Sequence, residues 1–246
     1  MKLFSYLLAL CFFITQSLQA AGEPLRVAVD PINPPFVMQG ANNQLYGYDI
    51  SMMENICKIL QRTCQFIPIR FNKILNAVDT NQVDVGCSSI TITADRVKIV
   101  DFSLPYLVSP ARIIGPKNLA KSFNIHLLDG KKIGMTEGSI YAVLLQQMGI
   151  KNPKIIPYTD LNYLIDDLYQ GKINFGLMDE PSALFWQTQS SQKLAVLGKS
   201  INYGAGLGIA VNRDNPVLLR AINDALLIYL DSNDFNTNYH TYMTHF

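Results

Sequence analysis

Asp84-Val85-Gly86-Cys87-Ser88-Ser89-Ile90-Thr91-Ile92-Thr93-Ala94-Asp95-Arg96 passes from an apolar run to a cluster of hydroxyls and ends on a guanidinium. Val83 to Cys87 reads as a strand. Thr93 is placed to cap a helix that begins beside Arg96. Upstream, Leu25 to Val29 is a short apolar strand ending at Asp30, followed by a loop stiffened by Pro31, Pro34 and Pro35, and Asn42-Asn43 marks a turn. From Ile50 the apolar positions Ile50, Met53, Ile56 and Leu60 recur at helical spacing, Gln65 to Ile69 reads as a strand, and Ile74 to Val78 belongs to a helix ending near Asn81. The order is therefore β-α-β-α-β, the pattern of a parallel sheet covered by helices.

The pattern then repeats. Lys132 to Met135 is a strand, and Gly138-Ser139 opens a helix running through Leu145. Lys154 to Pro157 is a strand and Leu161 to Tyr169 a helix. Ile173 to Met178 is a strand ending at Asp179, with Pro181 in the first turn of a helix through Gln187. Gly206 to Val211 is a last strand, and Pro216 to Leu230 a long amphipathic helix. No low-complexity tether separates the two units, so they are expected to be lobes joined by short crossings at Ser109-Pro110 and Asn202-Tyr203-Gly204. The expected organisation is 1–20 as a leader, 21–109 as the first part of lobe 1, 110–203 as lobe 2, and 204–246 returning to lobe 1.

The chain has 246 residues with 49% apolar and 10% aromatic side chains, enough for two cores and against disorder. A formal net charge of +1 without charge blocks argues against nucleic acid or an anionic membrane surface as partner. Lys2, the apolar run Leu3 to Ile14, and Ser17-Leu18-Gln19-Ala20-Ala21 read as a cleavable secretory signal, with the mature protein starting near Ala21. Leu10 stands where a lipoprotein box before Cys11 needs a small residue, so a soluble mature protein is expected, and no later segment is long enough to span a bilayer. Export places Cys57, Cys64 and Cys87 in an oxidising compartment. Cys57 and Cys64, seven residues apart at a helix end, are expected to pair and leave Cys87 as a buried free thiol. His126, His240 and His245 are scattered, and no Cys/His group has metal-ligand spacing, so neither metal nor cofactor is expected.

In open α/β sheets ligands bind beyond the carboxyl ends of the strands. At those ends stand Asp30, the hydroxyl loop with Ser88, Ser89, Thr91 and Arg96, then Thr136 with Gly138 and Ser139, and Asp179. Backbone N–H groups, hydroxyls and a guanidinium suit a carboxylate, and Asp179 suits a cation, so a zwitterion would satisfy both. Each residue also has a plainer reading: Arg96 as a surface helix residue, Asp179 as a helix cap before Pro181, and the hydroxyl loop as turn chemistry.

The combination resembles a known family. Asp84 to Arg96 followed by Val100-Asp101-Phe102-Ser103-Leu104-Pro105-Tyr106 is similar to the most diagnostic segment of the periplasmic polar amino-acid-binding proteins of ABC importers. Leu25 to Asp30 with Pro35-Phe36, Gly47-Tyr48-Asp49-Ile50, Ile133-Gly134-Met135 with Glu137-Gly138-Ser139, Gly171 to Asn174 with Met178-Asp179-Glu180, and Gly208 to Val211 with Asn215-Pro216 extend the resemblance over the mature chain. It implies an α/β, two-lobed periplasmic-binding-protein fold of type II, each lobe a sheet with covering helices and a cleft between them. It also implies a monomer that takes a free amino acid as its ligand and delivers it to a membrane ABC permease, and not an enzyme.

The lysine/arginine/ornithine and histidine binders are the most similar in pattern, with a cysteine pair spaced like Cys57 and Cys64. By that resemblance, Arg96 and the Thr91 backbone hold the ligand carboxylate. Asp179, with groups of Ser89 and Thr91, holds the ammonium. Asp30 and Ser88 face the ligand side chain, Phe71 packs on its stem, and Ser139 lies at the lobe 2 wall. Four positions differ from those binders: Ser51 replaces a second acid in the Gly-Tyr-Asp signature, Asn33 an aromatic, Arg70 an acid, and Ile140 falls near a common threonine. The ligand therefore stays open among cationic, amide and other side chains. Two other readings use the same scaffold. One is a cyclohexadienyl or arogenate dehydratase with Glu180 or Asp179 as general acid, and the other a soluble partner that presents ligand to a sensor.

Overall fold

The computed structural model describes residues 22–244. The leader read at 1–20, with Cys11, and His245 lie outside the described residues. Strand β1 (Gly22–Val29) leads to helix α1 (Tyr48–Ile59), β2 (Arg62–Pro68), α2 (Phe71–Asp79), β3 (Val85–Gly86) and β4 (Asp101–Phe102). Then follow β5 (Ala111–Pro116), β6 (Lys132–Thr136), α3 (Tyr141–Gln147), β7 (Lys154–Tyr158), α4 (Leu161–Tyr169), β8 (Phe175–Asp179), α5 (Glu180–Gln189) and β9 (Leu194–Ile201). Strand β10 (Ala210–Val211), α6 (Pro216–Leu230) and α7 (Asn233–Met243) complete the chain.

The strands form two five-stranded sheets, ordered β2-β1-β3-β10-β4 and β9-β5-β8-β6-β7. Every strand of the second sheet comes from residues 111–201, and the first sheet takes its strands from either side of that stretch. The sheets are mixed, which corrects the expectation of purely parallel ones. β1 runs parallel to β2 and β3, whereas β10 runs antiparallel to β3 and β4. β8 runs parallel to β6 but antiparallel to β5, which is itself antiparallel to β9. In both sheets the return strand closes one side of a parallel core.

β1 shows why the sheet has helices on both faces. Its alternate side chains Leu25, Val27 and Val29 join Ile50, Met53 and Ile56 of α1 and Ile222 and Leu226 of α6 in one core. Ala28 points the other way, to Ile74 and Val78 of α2. A strand buried on both faces reads as a continuous apolar run. The second sheet is covered likewise, by Tyr141, Leu144 and Leu145 of α3 on one face and by Leu161, Leu164 and Leu168 of α4 on the other.

α1 begins where only glycine fits. Gly47 has φ +132°, and a Cβ there would strike the carbonyl of Phe36. Cys57 of α1 is disulfide-bonded to Cys64 of β2 with Cα atoms 5.8 Å apart, and Cys87 is free and buried. Asn42 and Asn43 both adopt positive φ at the turn between two short paired strands, Met38–Gln39 and Leu45–Tyr46. Among the described residues no helix is long and apolar enough to cross a membrane.

Candidate functional site

The carboxyl ends of β1, β3, β6 and β8 point toward one cleft between the two sheets. Asp30, Ile32, Asn33, Phe71, Ser89, Thr91 and Arg96 line it from one side, and Thr136, Ser139, Ile140, Tyr141, Thr159, Leu161, Met178 and Asp179 from the other. The cleft volume is about 30 Å³, room for roughly a water molecule or two. The lobes are thus closed against each other.

Arg96 is 8% exposed, which removes the reading of it as a surface residue. Nη1 donates to the Thr91 carbonyl at 2.9 Å, and Nη2 crosses the cleft to the Gly138 carbonyl at 3.1 Å. Its guanidinium lies 5.3 Å from the centre of the Phe71 ring, within cation–π range. Burial lowers its pKa from the usual arginine value, partly opposed by the field of Tyr203, Tyr141 and Asp179. The helix expected after Arg96 is only a 3₁₀ turn, Arg96–Lys98, with Thr93 Oγ1 accepting from the Arg96 N–H at 3.3 Å. The helix expected to open at Gly138-Ser139 starts two residues later, at Tyr141. Ser139 Oγ is buried at the cleft and makes no hydrogen bond among the described residues.

Asp179 ends β8 and stands at the N-cap of α5, but its carboxylate caps nothing. Oδ1 accepts from the Tyr203 hydroxyl at 2.6 Å and from Ser109 Oγ at 3.3 Å, and Oδ2 accepts from Ser89 Oγ at 3.1 Å across the cleft. Burial raises its pKa, and the four hydroxyls of Tyr203, Ser89, Tyr141 and Ser109 pull it back. Ser89 holds this bond from a left-handed backbone, φ +45°. Its N–H donates at 2.7 Å to Asp49, a fully buried carboxyl whose pKa burial pushes up to about 7. Asn33 Nδ2 donates to Ser89 Oγ at 2.8 Å, so the Ser89 proton is directed at Asp179. The residue that departs from an aromatic therefore helps to set the Ser89–Asp179 bond.

Asp30 is 6% exposed at the end of β1. Its oxygens accept from the N–H groups of Ile32 at 3.3 Å and Phe71 at 3.1 Å, the second being the start of α2. Burial pushes its pKa up to about 6 against these two bonds, with the charge of Asp160 adding to the rise. No cationic side chain bonds to it or pairs with it among the described residues. Ser88 is fully buried, outside the cleft wall, and its Oγ accepts from the Asp30 N–H at 3.1 Å. It sets Asp30 in place instead of facing a ligand, as had been expected of it. Arg70 is exposed and does not line the cleft, and Ser51 lies on α1 away from it, so neither difference from the cationic binders alters the cleft itself. Ile140 does line it.

The arrangement joins a buried guanidinium, a hydroxyl-rich loop and an opposing buried carboxylate, a chemistry that suits a small solute carrying both charges. A scan against family models matches residues 25–245 to the bacterial extracellular solute-binding proteins, family 3. The chain belongs to that family. Among curated members, ABC transporter arginine-binding protein 1 of Escherichia coli K12 is 31% identical over 211 residues, covering 84% of this chain and 85% of that one. The L-cystine-binding protein TcyJ of Escherichia coli K12 is 30% identical over 203 residues, covering 82% and 76%. Among solved solute-binding proteins, an arginine 3rd transport system periplasmic binding protein from Legionella pneumophila superposes with a TM-score of 0.82 at 31% identity, covering 89% and 99%.

Sequence reasoning had picked out Arg96, Asp179, Asp30, Ser89, Thr91, Phe71 and Ser139, and this solute-binding chain brings all seven to one cleft. It missed Ile32 after β1, Thr159 in the β7–α4 connection and Leu161 at the start of α4, all of which line the cleft. It named Tyr203 only as part of a crossing. A hydroxyl placed on a crossing carries no periodicity, and the one available signal was a tyrosine between Asn202 and Gly204.

Proposed function

We propose that this protein captures a free amino acid with a cationic side chain, arginine being the first candidate, and hands it to an ABC permease from the periplasm. Arg96, Thr91 and Ser139 take the α-carboxylate, Asp179 and Ser89 the α-ammonium, and Phe71, Ile32 and Leu161 flank the side-chain stem. Asp30 takes the cationic end. In this reading lobe 1 comprises 21–109 and 204–246, lobe 2 comprises 110–203, and the two crossings form the hinge.

The observation that carries the side-chain assignment is Asp30. Two of the three buried charges in the cleft, Arg96 and Asp179, are matched by the two ends of any zwitterion. Asp30 then remains a buried carboxyl without a cation, and burial of an unmatched carboxylate is costly. A guanidinium or ammonium on the ligand supplies the missing charge. The arginine-binding relatives support this, while the cystine-binding relative shows how far ligands diverge at this identity. Of the two alternative general acids, Asp179 lines the cleft, where this reading commits it to the amine, and Glu180 does not. Glu180 is held by Arg112 at 2.6 Å and Ser200 at 2.8 Å.

A thermal-shift screen of the twenty amino acids with ornithine, citrulline and cystine tests the assignment. A ligand at 100 times its Kd stabilises the folded state by about 2.7 kcal/mol. Arginine, lysine or ornithine is expected to give the largest rise in Tm, with citrulline, isosteric with arginine but neutral, well behind. A citrulline or glutamine shift equal to that of arginine would remove the cationic assignment.

A further inference from the structure

We propose that Tyr203, on the second crossing, is a positioning residue for the amine subsite: its hydroxyl orients Asp179 and keeps it ionised, so the crossing itself helps to set the requirement for an α-ammonium. The proposal rests on the reading of Asp179 as the acid that meets the ligand's amine. Tyr203 does not line the cleft; it acts from behind.

Two sets of contacts place it there. On the backbone side the crossing is strapped to the clamp loop. The Ala205 N–H donates to the Ile92 carbonyl at 3.0 Å and the Ile92 N–H donates to the Gly206 carbonyl at 2.8 Å. Just before them Gly204 has φ +62°, and any Cβ there would collide with the Thr91 side chain, so only glycine lets the crossing lie this close. The backbone of the crossing therefore follows the loop that carries Thr91 and Arg96. On the side-chain side Tyr203 reaches the end of β8. Its O–H donates to Asp179 Oδ1 at 2.6 Å, the shortest of that carboxylate's bonds, and its oxygen lies 3.2 Å from the Tyr141 hydroxyl, with the two rings edge to face.

The Tyr141 hydroxyl also helps to pull the Asp179 pKa down, after Tyr203 and Ser89, and the other groups around the carboxylate hold it less directly. Ser109 is at 3.3 Å, Ser89 bonds the other oxygen, and Asp49 adds a like charge. Arg96, in the same cleft, is committed to two carbonyls, and Arg112, across from Met178, is paired with Glu180. Burial and the neighbouring Asp179 charge hold the Tyr203 hydroxyl well above its usual pKa. It is a proton donor at every working pH. A carboxylate that loses its shortest donor in such a place is protonated more easily, and a neutral Asp179 no longer attracts an ammonium.

Tyr203→Phe keeps the ring and removes only the donor. In the protein without added ligand, carbon-13 titration of the Asp179 carboxyl, assigned with Asp179→Asn, is expected to move to higher pH in the variant. An unchanged midpoint would overturn the proposal. For arginine we expect a loss of about ten- to a hundredfold in affinity, steeper as the pH falls. For 5-guanidinopentanoate, which lacks the α-amine, we expect no more than a twofold change. Equal losses for the two compounds would mean that Tyr203 is structural only. If the wild type binds no amino acid, the amine-subsite reading fails on its own, and the carboxyl titration still decides whether Tyr203 governs Asp179.

Discussion

Arg96 shows how a single side chain can be both structural and receptive. Its two carbonyl acceptors and the Phe71 ring hold the guanidinium rigidly at 8% exposure, yet neither acceptor neutralises it. A carboxylate arriving there meets a preorganised, desolvated fork. Arg96→Ala should therefore weaken arginine binding by roughly 3–5 kcal/mol, two to three-and-a-half decades in Kd, as read by calorimetry. A change of less than tenfold would assign Arg96 to packing.

Asp30 makes a prediction with a sign. Its pKa is raised to about 6 in the folded protein, so the folded state binds this proton more readily than the unfolded chain does. The stability that this group contributes is complete below about pH 4 and is lost as pH rises through 6. A cationic ligand favours the ionised form, so arginine affinity should fall as pH drops below about 6. Asp30→Asn should lower arginine affinity by about 1.5–3 kcal/mol and flatten that acidic limb. Calorimetric titrations between pH 5 and 8 would show an unchanged limb if Asp30 only caps α2. Asp30 and Asp179 were legible in the sequence because each follows an apolar strand directly, and Arg96 because it ends the hydroxyl-rich loop that follows another. Asn33 and Tyr203 were not, because their roles depend on Ser89 and Asp179, at positions 56 and 24 residues away.

At the scale of elements, the parallel half of each sheet was readable and the antiparallel half was not. Helices α4 and α6 match the sequence reading at both ends, and Pro216 after Asn215 marks the start of α6 with a side-chain cap on Leu218. β5 and β9 went unread. Ala111 to Pro116 pairs with Leu194 to Ile201 on one side and with β8 on the other, at separations of some 62 to 90 residues, and no local turn signal announces such pairing. The strand read at Gly206 to Val211 contracts to Ala210–Val211, because Leu207 instead bridges Thr91 and Leu107. That bridge ties the returning chain to the clamp loop. The disulfide belongs to this scale as well. It fastens α1 to β2 over a loop of seven residues, and a loop that short should contribute about 2.5 kcal/mol. Thiol labelling of the folded, unreduced protein without residues 1–20 should find Cys87 blocked and no other thiol, with a single thiol after denaturation. Cys57→Ser with Cys64→Ser should lower the denaturant midpoint accordingly. Three reactive thiols without reductant would contradict the pairing.

For the whole molecule, the bonds from Ser89 to Asp179 and from Arg96 to Gly138 run directly from one lobe to the other. These bonds hold the two walls of the cleft together, so on the proposed reading capture has the lobes part and close again around the ligand. The ligand can favour closure only by the difference in its affinity for the two arrangements. A zwitterion that meets Arg96 on one lobe and Asp179 on the other has such a difference. A compound that meets one alone has much less of it. Small-angle scattering should therefore show compaction with arginine, and little with agmatine, which lacks the carboxylate, or with 5-guanidinopentanoate. The most direct test is calorimetric titration of the wild-type protein with arginine and these two analogues at pH 7.5. The clamp predicts that both analogues bind at least a hundredfold more weakly than arginine, and agmatine binding as tightly as arginine would contradict it.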